Sequence, residues 1–211
     1  MIASIEAKTG GPRSRPGGRS TKVVTAVRQA LFDLLAERGL DGVEIPEIAL
    51  RAGVNRTTIY RRWPTKAALL LALMLEEMRV RVPTPNTGCF QTDLEQMLKG
   101  IASILADPAI RSIFFFLSSR VDPEAARVKS AFWEQRFADS GEIVTRAVMR
   151  GELPKDVSPR VILELAAAPL LYRILILGTS VDDRTIRQMA AWVARQDVKG
   201  FPPLQAADLR G

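Results

Sequence analysis

Between residues 52 and 66 the chain reads AGVNRTTIYRRWPTK. Four cations, Arg56, Arg61, Arg62 and Lys66, share this stretch with Asn55, Thr57, Thr58 and Tyr60, separated only by short apolar anchors. Guanidinium and ammonium groups donate to phosphate oxygens, and Arg and Thr side chains also reach base edges. Recognition of a polyanion is therefore the chemistry on offer. Bond-breaking chemistry is not: the chain contains no histidine, hence no His-based triad. It also has no GxGxxG or Walker-type loop, and its carboxylates are scattered without a paired spacing.

These side chains need a scaffold, and the flanking residues supply one. Ala49, Gly53 and Ile59 occupy the fifth, ninth and fifteenth places of a twenty-residue helix, turn, helix unit over residues 45–64. A small residue lets the second helix approach the first, glycine takes the left-handed turn, and the later apolar residue locks the crossing. The spacing predicts one helix over Ile45 to Ala52, with Pro46 tolerated in its first turn, and another over Arg56 to Trp63 capped by Asn55. Ile59 and Trp63, four apart, share the side facing the core, which leaves Arg56, Thr57, Thr58, Tyr60, Arg61 and Arg62 on exposed sides. The second helix of such a unit can enter a major groove. In that pose Arg56, Thr57 and Thr58 are the candidates for base edges, and Tyr60, Arg61, Arg62 and Lys66 for the phosphate backbone. Ahead of the unit, apolar residues from Val23 to Leu35 recur at three- and four-residue steps, predicting a helix over Thr21 to Arg38 capped by Ser20 or Thr21 and ended by Gly39. Behind it, Thr65 caps a fourth helix running to Val82.

The charge distribution points the same way. Of a net +7, the part through Lys66 holds 12 basic and 6 acidic residues, and the remainder 18 and 17. A field confined to one end attracts nucleic acid or an anionic membrane surface, although solvated charge without a partner fits the same numbers. Residues 1–19, rich in Gly, Pro, Ser and Arg, predict a flexible basic arm; Arg13, Arg15 and Arg19 could track a DNA backbone or merely solubilise the chain. The single cysteine, Cys89, excludes an internal disulfide, and no Cys or His cluster could hold zinc, so neither metal nor cofactor is expected. Cys89 reads either as a redox-sensing thiol or as an inert small residue. Without a signal-type apolar run, the expected compartment is the cytoplasm.

Strand signals are absent, so the expected fold is all-α: a three-helix N-terminal bundle over residues 20–66, a larger helical bundle over 67–196, and a loose tail over 197–211. Breaks are expected at Pro83 to Gly88, Asp107-Pro108, Asp122-Pro123, Gly151 to Pro159 and Gly178 to Asp182. Residues 160–177, RVILELAAAPLLYRILIL, are apolar on nearly every side, which calls for burial against a second subunit or within the chain. Pro169 should kink this helix. Met97, Ile101, Ile110, Phe114, Phe115, Phe116, Trp133, Phe137 and Tyr172 are candidates for lining a ligand pocket, with ordinary core packing the alternative for each. Glu164 and Arg173 could orient a ligand, pair with each other or meet a second subunit.

The stretch GLDGVEIPEIALRAGVNRTTIYRRWPTKAALL resembles the DNA-binding domain of TetR-family transcriptional regulators over about Val23 to Leu71. That resemblance implies that Asn55 to Thr58, Tyr60, Arg61, Arg62 and Lys66 occupy DNA-contact positions. It further implies a homodimer formed through about residues 160–196, double-stranded operator DNA as partner, a small-molecule effector, which the candidate lining suggests is mostly apolar, and repression as the expected sense of control. Glu44 departs from the pattern, standing where the family usually shows Thr or Ser; a carboxylate can cap the helix but repels DNA. A second function class fits the composition, namely a helical ligand carrier or docking module whose basic end binds an acidic partner.

Overall fold

The computed structural model describes residues 19–119 and 123–196. Among these residues the chain forms nine α-helices, one π-helical turn and no strand. The basic arm up to residue 18, the tail from residue 197 and most of the expected Asp122-Pro123 break lie outside them.

The first three helices are α1 (Arg19–Arg38), α2 (Ile45–Ala52) and α3 (Arg56–Arg62). α1 begins at Arg19, so Ser20 and Thr21 lie within its first turn instead of capping it. Gly53 takes φ +63°, the left-handed conformation that glycine adopts at no steric cost, and this turns the chain from α2 into α3. Asn55 Oδ1 then accepts from Thr57 N at 2.9 Å, satisfying a backbone donor at the start of α3. Trp63 leaves helical geometry, and its N–H closes the helix on Ile59 O at 2.8 Å. Ile59 and Trp63 are both buried. Two surface ion pairs fasten α2 to α1: Arg38 to Glu47 at 2.7 Å, and a bidentate Arg51 to Glu37 contact at 2.8 and 2.7 Å.

The larger bundle comprises α4 (Lys66–Arg81), α5 (Phe90–Leu105), α6 (Pro108–Ser119), α7 (Pro123–Met149), α8 (Pro159–Leu171) and α9 (Asp183–Val193). Thr65 caps α4 by accepting from Ala68 N at 3.2 Å, and Asp182 caps α9 by accepting from Thr185 N at 2.7 Å. α4 packs on α5, α6 and α7, while α5 also meets α8 and α9. α8 runs through Pro169, which has no N–H to give Leu165 O. The widening follows in the next turn, where Tyr172–Ile176 forms the π-helical turn. No single helix among the described residues is long and apolar enough to cross a membrane.

Polar contacts from two side chains, Arg28 and Lys66, join the bundles among the described residues. Arg28 of α1 donates to Glu77 of α4, a carboxylate that is otherwise buried. Lys66 at the start of α4 reaches back to the α1–α2 loop, donating to Leu40 O at 3.0 Å.

Candidate nucleic-acid interface and interior cavity

α3 is amphipathic by construction. Ile59 is buried, Thr58 is half-buried, and Asn55, Arg56, Thr57, Tyr60, Arg61 and Arg62 are exposed. The acids nearby are already engaged: Glu37 with Arg51, Glu47 with Arg38, and Glu44 with Lys66 at 3.3 Å. The hydrogen-bonded Arg51 guanidinium holds the Glu37 carboxyl below its ordinary pKa. Among the described residues neither Arg56 nor Arg61 has an ion-pair partner, so their charge faces solvent. Arg62 lies 5.1 Å over the Trp63 ring, which fixes the direction of its guanidinium.

Lys66 is placed differently from the rest of its set. Its side chain is 17 % exposed, its Nζ is bonded to Leu40 O and Glu44, and it lies 5.5 Å over the Phe116 ring. The ammonium therefore braces α4 against the α1–α2 loop and offsets the Glu44 carboxylate. This also answers the concern raised by Glu44, whose charge is matched within the protein and does not stand alone beside α3.

Inside the larger bundle, α4, α5, α6, α7 and α8 enclose a cavity of about 70 Å³. Of the expected lining residues, Met97, Ile101, Phe114, Trp133 and Phe137 reach it. Phe115 and Tyr172 do not: they are 45 % and 54 % exposed, because neighbours on a helix point in different directions and Tyr172 lies in the outward-facing π-turn. Ile110 is fully buried core, and Phe116 packs by Lys66. Glu164 pairs with Arg160 at 2.8 Å, one turn away on α8, and not with Arg173, which is exposed.

Beyond the residues expected from the sequence, Met74 and Met78 of α4 and, more consequentially, Arg136 and Ser140 of α7 also line the cavity. A signal for the last two existed. Phe132, Arg136 and Ser140 recur every four residues beside Trp133 and Phe137, so Arg136 falls within an otherwise apolar inward stripe. Burial pushes its guanidinium pKa down, and nearby Asp139 opposes that shift.

The far end of the bundle exposes large apolar side chains: Tyr172, Ile176 and Leu177 around the π-turn, and Trp192, 52 % exposed, on α9.

Comparison with known proteins accounts for both halves of the chain. Residues 28–73 match the family model of bacterial regulatory proteins of the tetR family, and residues 84–193 match the tetracyclin repressor-like C-terminal domain. The chain belongs to the TetR family of transcriptional regulators. Among TetR-family relatives it is 30 % identical over 179 residues to the HTH-type transcriptional regulator YdeS of Bacillus subtilis (strain 168), covering 84 % of this chain and 89 % of that protein. It is 31 % identical over 165 residues to the regulator AqdR of Rhodococcus erythropolis, covering 77 % and 79 % respectively. The crystal structure of the TetR-family regulator SCO0332 superposes with a TM-score of 0.70 at 25 % identity, over 82 % of this chain and 97 % of that one. As a TetR-family member the chain is a DNA-binding transcriptional regulator and not an enzyme. Its helix-turn-helix spans α2 and α3.

Proposed function

We propose that the protein is a repressor that binds a near-palindromic operator as a homodimer and is released from it when a small, mostly apolar ligand fills the interior cavity. The observation that carries the DNA half is the exposed, acid-free charge of Arg56 and Arg61 on a helix whose opposite side is locked by Ile59 and Trp63. Arg56, Thr57 and Thr58, at the start of α3, are assigned to base edges. Tyr60, Arg61 and Arg62 hold phosphates, and Asn55 sets the start of the helix. Lys66 acts from behind as a brace. A cytoplasmic setting goes with this role and with the lone Cys89.

The exposed apolar side chains around the π-turn and on α9 support self-association through residues 160–196. A two-fold dimer presents two copies of α3, so the operator half-sites are spaced by about one helical turn, roughly 34 Å.

α4 is the natural transmitter. Met74 and Met78 line the cavity on one side of it, while Glu77 holds Arg28 of α1. A ligand that displaces the methionines shifts α4 and, through Glu77 and Lys66, the orientation of α1 to α3. A tenfold loss of operator affinity needs about 1.4 kcal/mol of differential ligand binding, and reversal of a 99:1 preference about 5.5 kcal/mol.

Selecting bound fragments from a random DNA pool tests the assignment. The expected product is an inverted repeat with half-sites one turn apart, bound with an affinity that falls steeply with salt. Recovery of unrelated fragments with equal affinity would remove the sequence-specific reading.

A further inference from the structure

One charged group lines the cavity, whose other lining residues are apolar apart from Ser140. Arg136 is 7 % exposed, and its guanidinium carries five N–H donors. Among the described residues it makes one hydrogen bond, from Nη2 to Ser140 Oγ at 3.3 Å, and no ion pair. Asp139 acts on it only from beyond ion-pair distance, and a guanidinium taken out of water without a counter-charge in contact is costly.

Other sheltered charges in this bundle avoid that cost. Glu77 meets Arg28 and, at 3.8 Å, Arg81; Arg160 meets Glu164 at 2.8 Å. In the wider groove between α5, α6 and the 178–181 loop, Lys99 lies 3.0 Å from Glu95 and 2.8 Å from Asp183, and Arg111 donates to Leu105 O at 2.9 Å. Arg136 differs from all of these, and it differs inside the cavity.

We propose that the cavity binds an amphipathic monocarboxylate whose carboxylate accepts from the Arg136 guanidinium and the Ser140 hydroxyl. Ser140 Oγ already accepts from Arg136, so its own O–H is free to donate to the same anion. A planar guanidinium matches a carboxylate with two parallel N–H···O bonds. One cation in an apolar wall matches one negative charge; a phosphate dianion would bring a second charge with nothing to neutralise it. The hydrocarbon or aromatic body lies against Phe114 and Trp133 and is accommodated by Met74, Met78 and Met97. Their flexible side chains can widen a space that measures about 70 Å³.

This proposal rests on the cavity being the effector site, and the two separate by experiment. The full chain is titrated calorimetrically with the straight-chain monocarboxylates from hexanoate to decanoate and with the primary alcohols of the same lengths. At neutral pH each carboxylate is expected to bind about tenfold or more tightly than its alcohol. Arg136→Met, which keeps an apolar side chain of similar reach, should bring the acid down to parity while leaving the alcohol unchanged. Should that variant fail to fold, Ser140→Ala supplies the second measurement: a several-fold loss for the acid and none for the alcohol. Equal affinity for acid and alcohol in the unsubstituted protein overturns the anion assignment and leaves the cavity as a ligand site. Failure of both series to bind removes the effector cavity, and this proposal with it.

Discussion

Lys66 Nζ lies 3.0 Å from Leu40 O and 3.3 Å from Glu44 Oε1, so the last cation of the helix-turn-helix segment is turned into the protein. Replacing it with alanine removes a charge-assisted bond to a backbone carbonyl and leaves that carbonyl half-sheltered. The expected cost is about 1–2 kcal/mol of stability, read from urea midpoints, with operator affinity lowered less than by Arg61→Ala. A loss on DNA equal to that of Arg61→Ala at unchanged stability would return Lys66 to the phosphate-contacting set.

Arg56 and Arg61 face solvent about 1.4 turns apart on α3, and they should fail differently. Arg56→Ala is expected to cost about 1–3 kcal/mol on the selected operator and to relax preference at one base position. Arg61→Ala should weaken specific and random DNA alike and reduce the salt slope by about one. Binding isotherms at several salt concentrations on both DNAs distinguish the two, and equal losses on both DNAs for both variants would erase the division.

Among the described residues Glu77 and Arg28 form the ion pair between α1 and α4, with the carboxylate buried and the guanidinium partly exposed. Glu77→Gln should destabilise the protein, by less than the about 3–5 kcal/mol typical of a fully buried pair because solvent screens Arg28. Effector binding should then release DNA less completely. A double-mutant cycle with Arg28→Ala, read in thermal unfolding, measures the coupling; additivity of the two substitutions would show that the pair carries none.

Trp192 and Ile176 present apolar surface to solvent at the far end of the bundle. Trp192→Asp should convert a sedimenting dimer into a monomer and lower operator affinity with it, since two half-sites can no longer be held at once. An unchanged sedimentation coefficient would place the interface elsewhere.

Two carboxyl groups at helix starts set an acid limit on stability. Burial raises the Glu152 pKa, but the Phe90 N–H bond at 2.6 Å and then Arg150 outweigh it and bring the group below its ordinary 4.5. Thr185, bonding to Asp182, lowers that group below its ordinary 3.8. Both are therefore ionised more readily in the folded than in the unfolded chain. Their contribution is complete above about pH 5 and fades as pH falls through the lowered values. Urea midpoints measured from pH 7 downward should decline there, and Glu152→Gln with Asp182→Asn should flatten the decline. An identical slope in the double variant would assign the acid sensitivity to other groups.

Local chemistry made the DNA-binding end legible without coordinates. Gly53 needs a left-handed backbone, Asn55 and Thr65 cap by bonds to residues two and three positions on, and the Ile59 and Trp63 spacing fixes which side of α3 is buried; none of this depends on distant partners. The boundaries of α2 follow from the same short-range rules. What the residues alone left open was settled by contacts remote in sequence. Lys66 is drawn inward by a carbonyl 26 residues earlier, and Phe115 and Tyr172 point away from a cavity that Phe114 and Trp133 line. Periodicity says that a side chain faces inward, but not whether it meets packing or empty space. That choice is made only when five helices converge, and it is there that Arg136 lines a cavity with no acid in contact among the described residues.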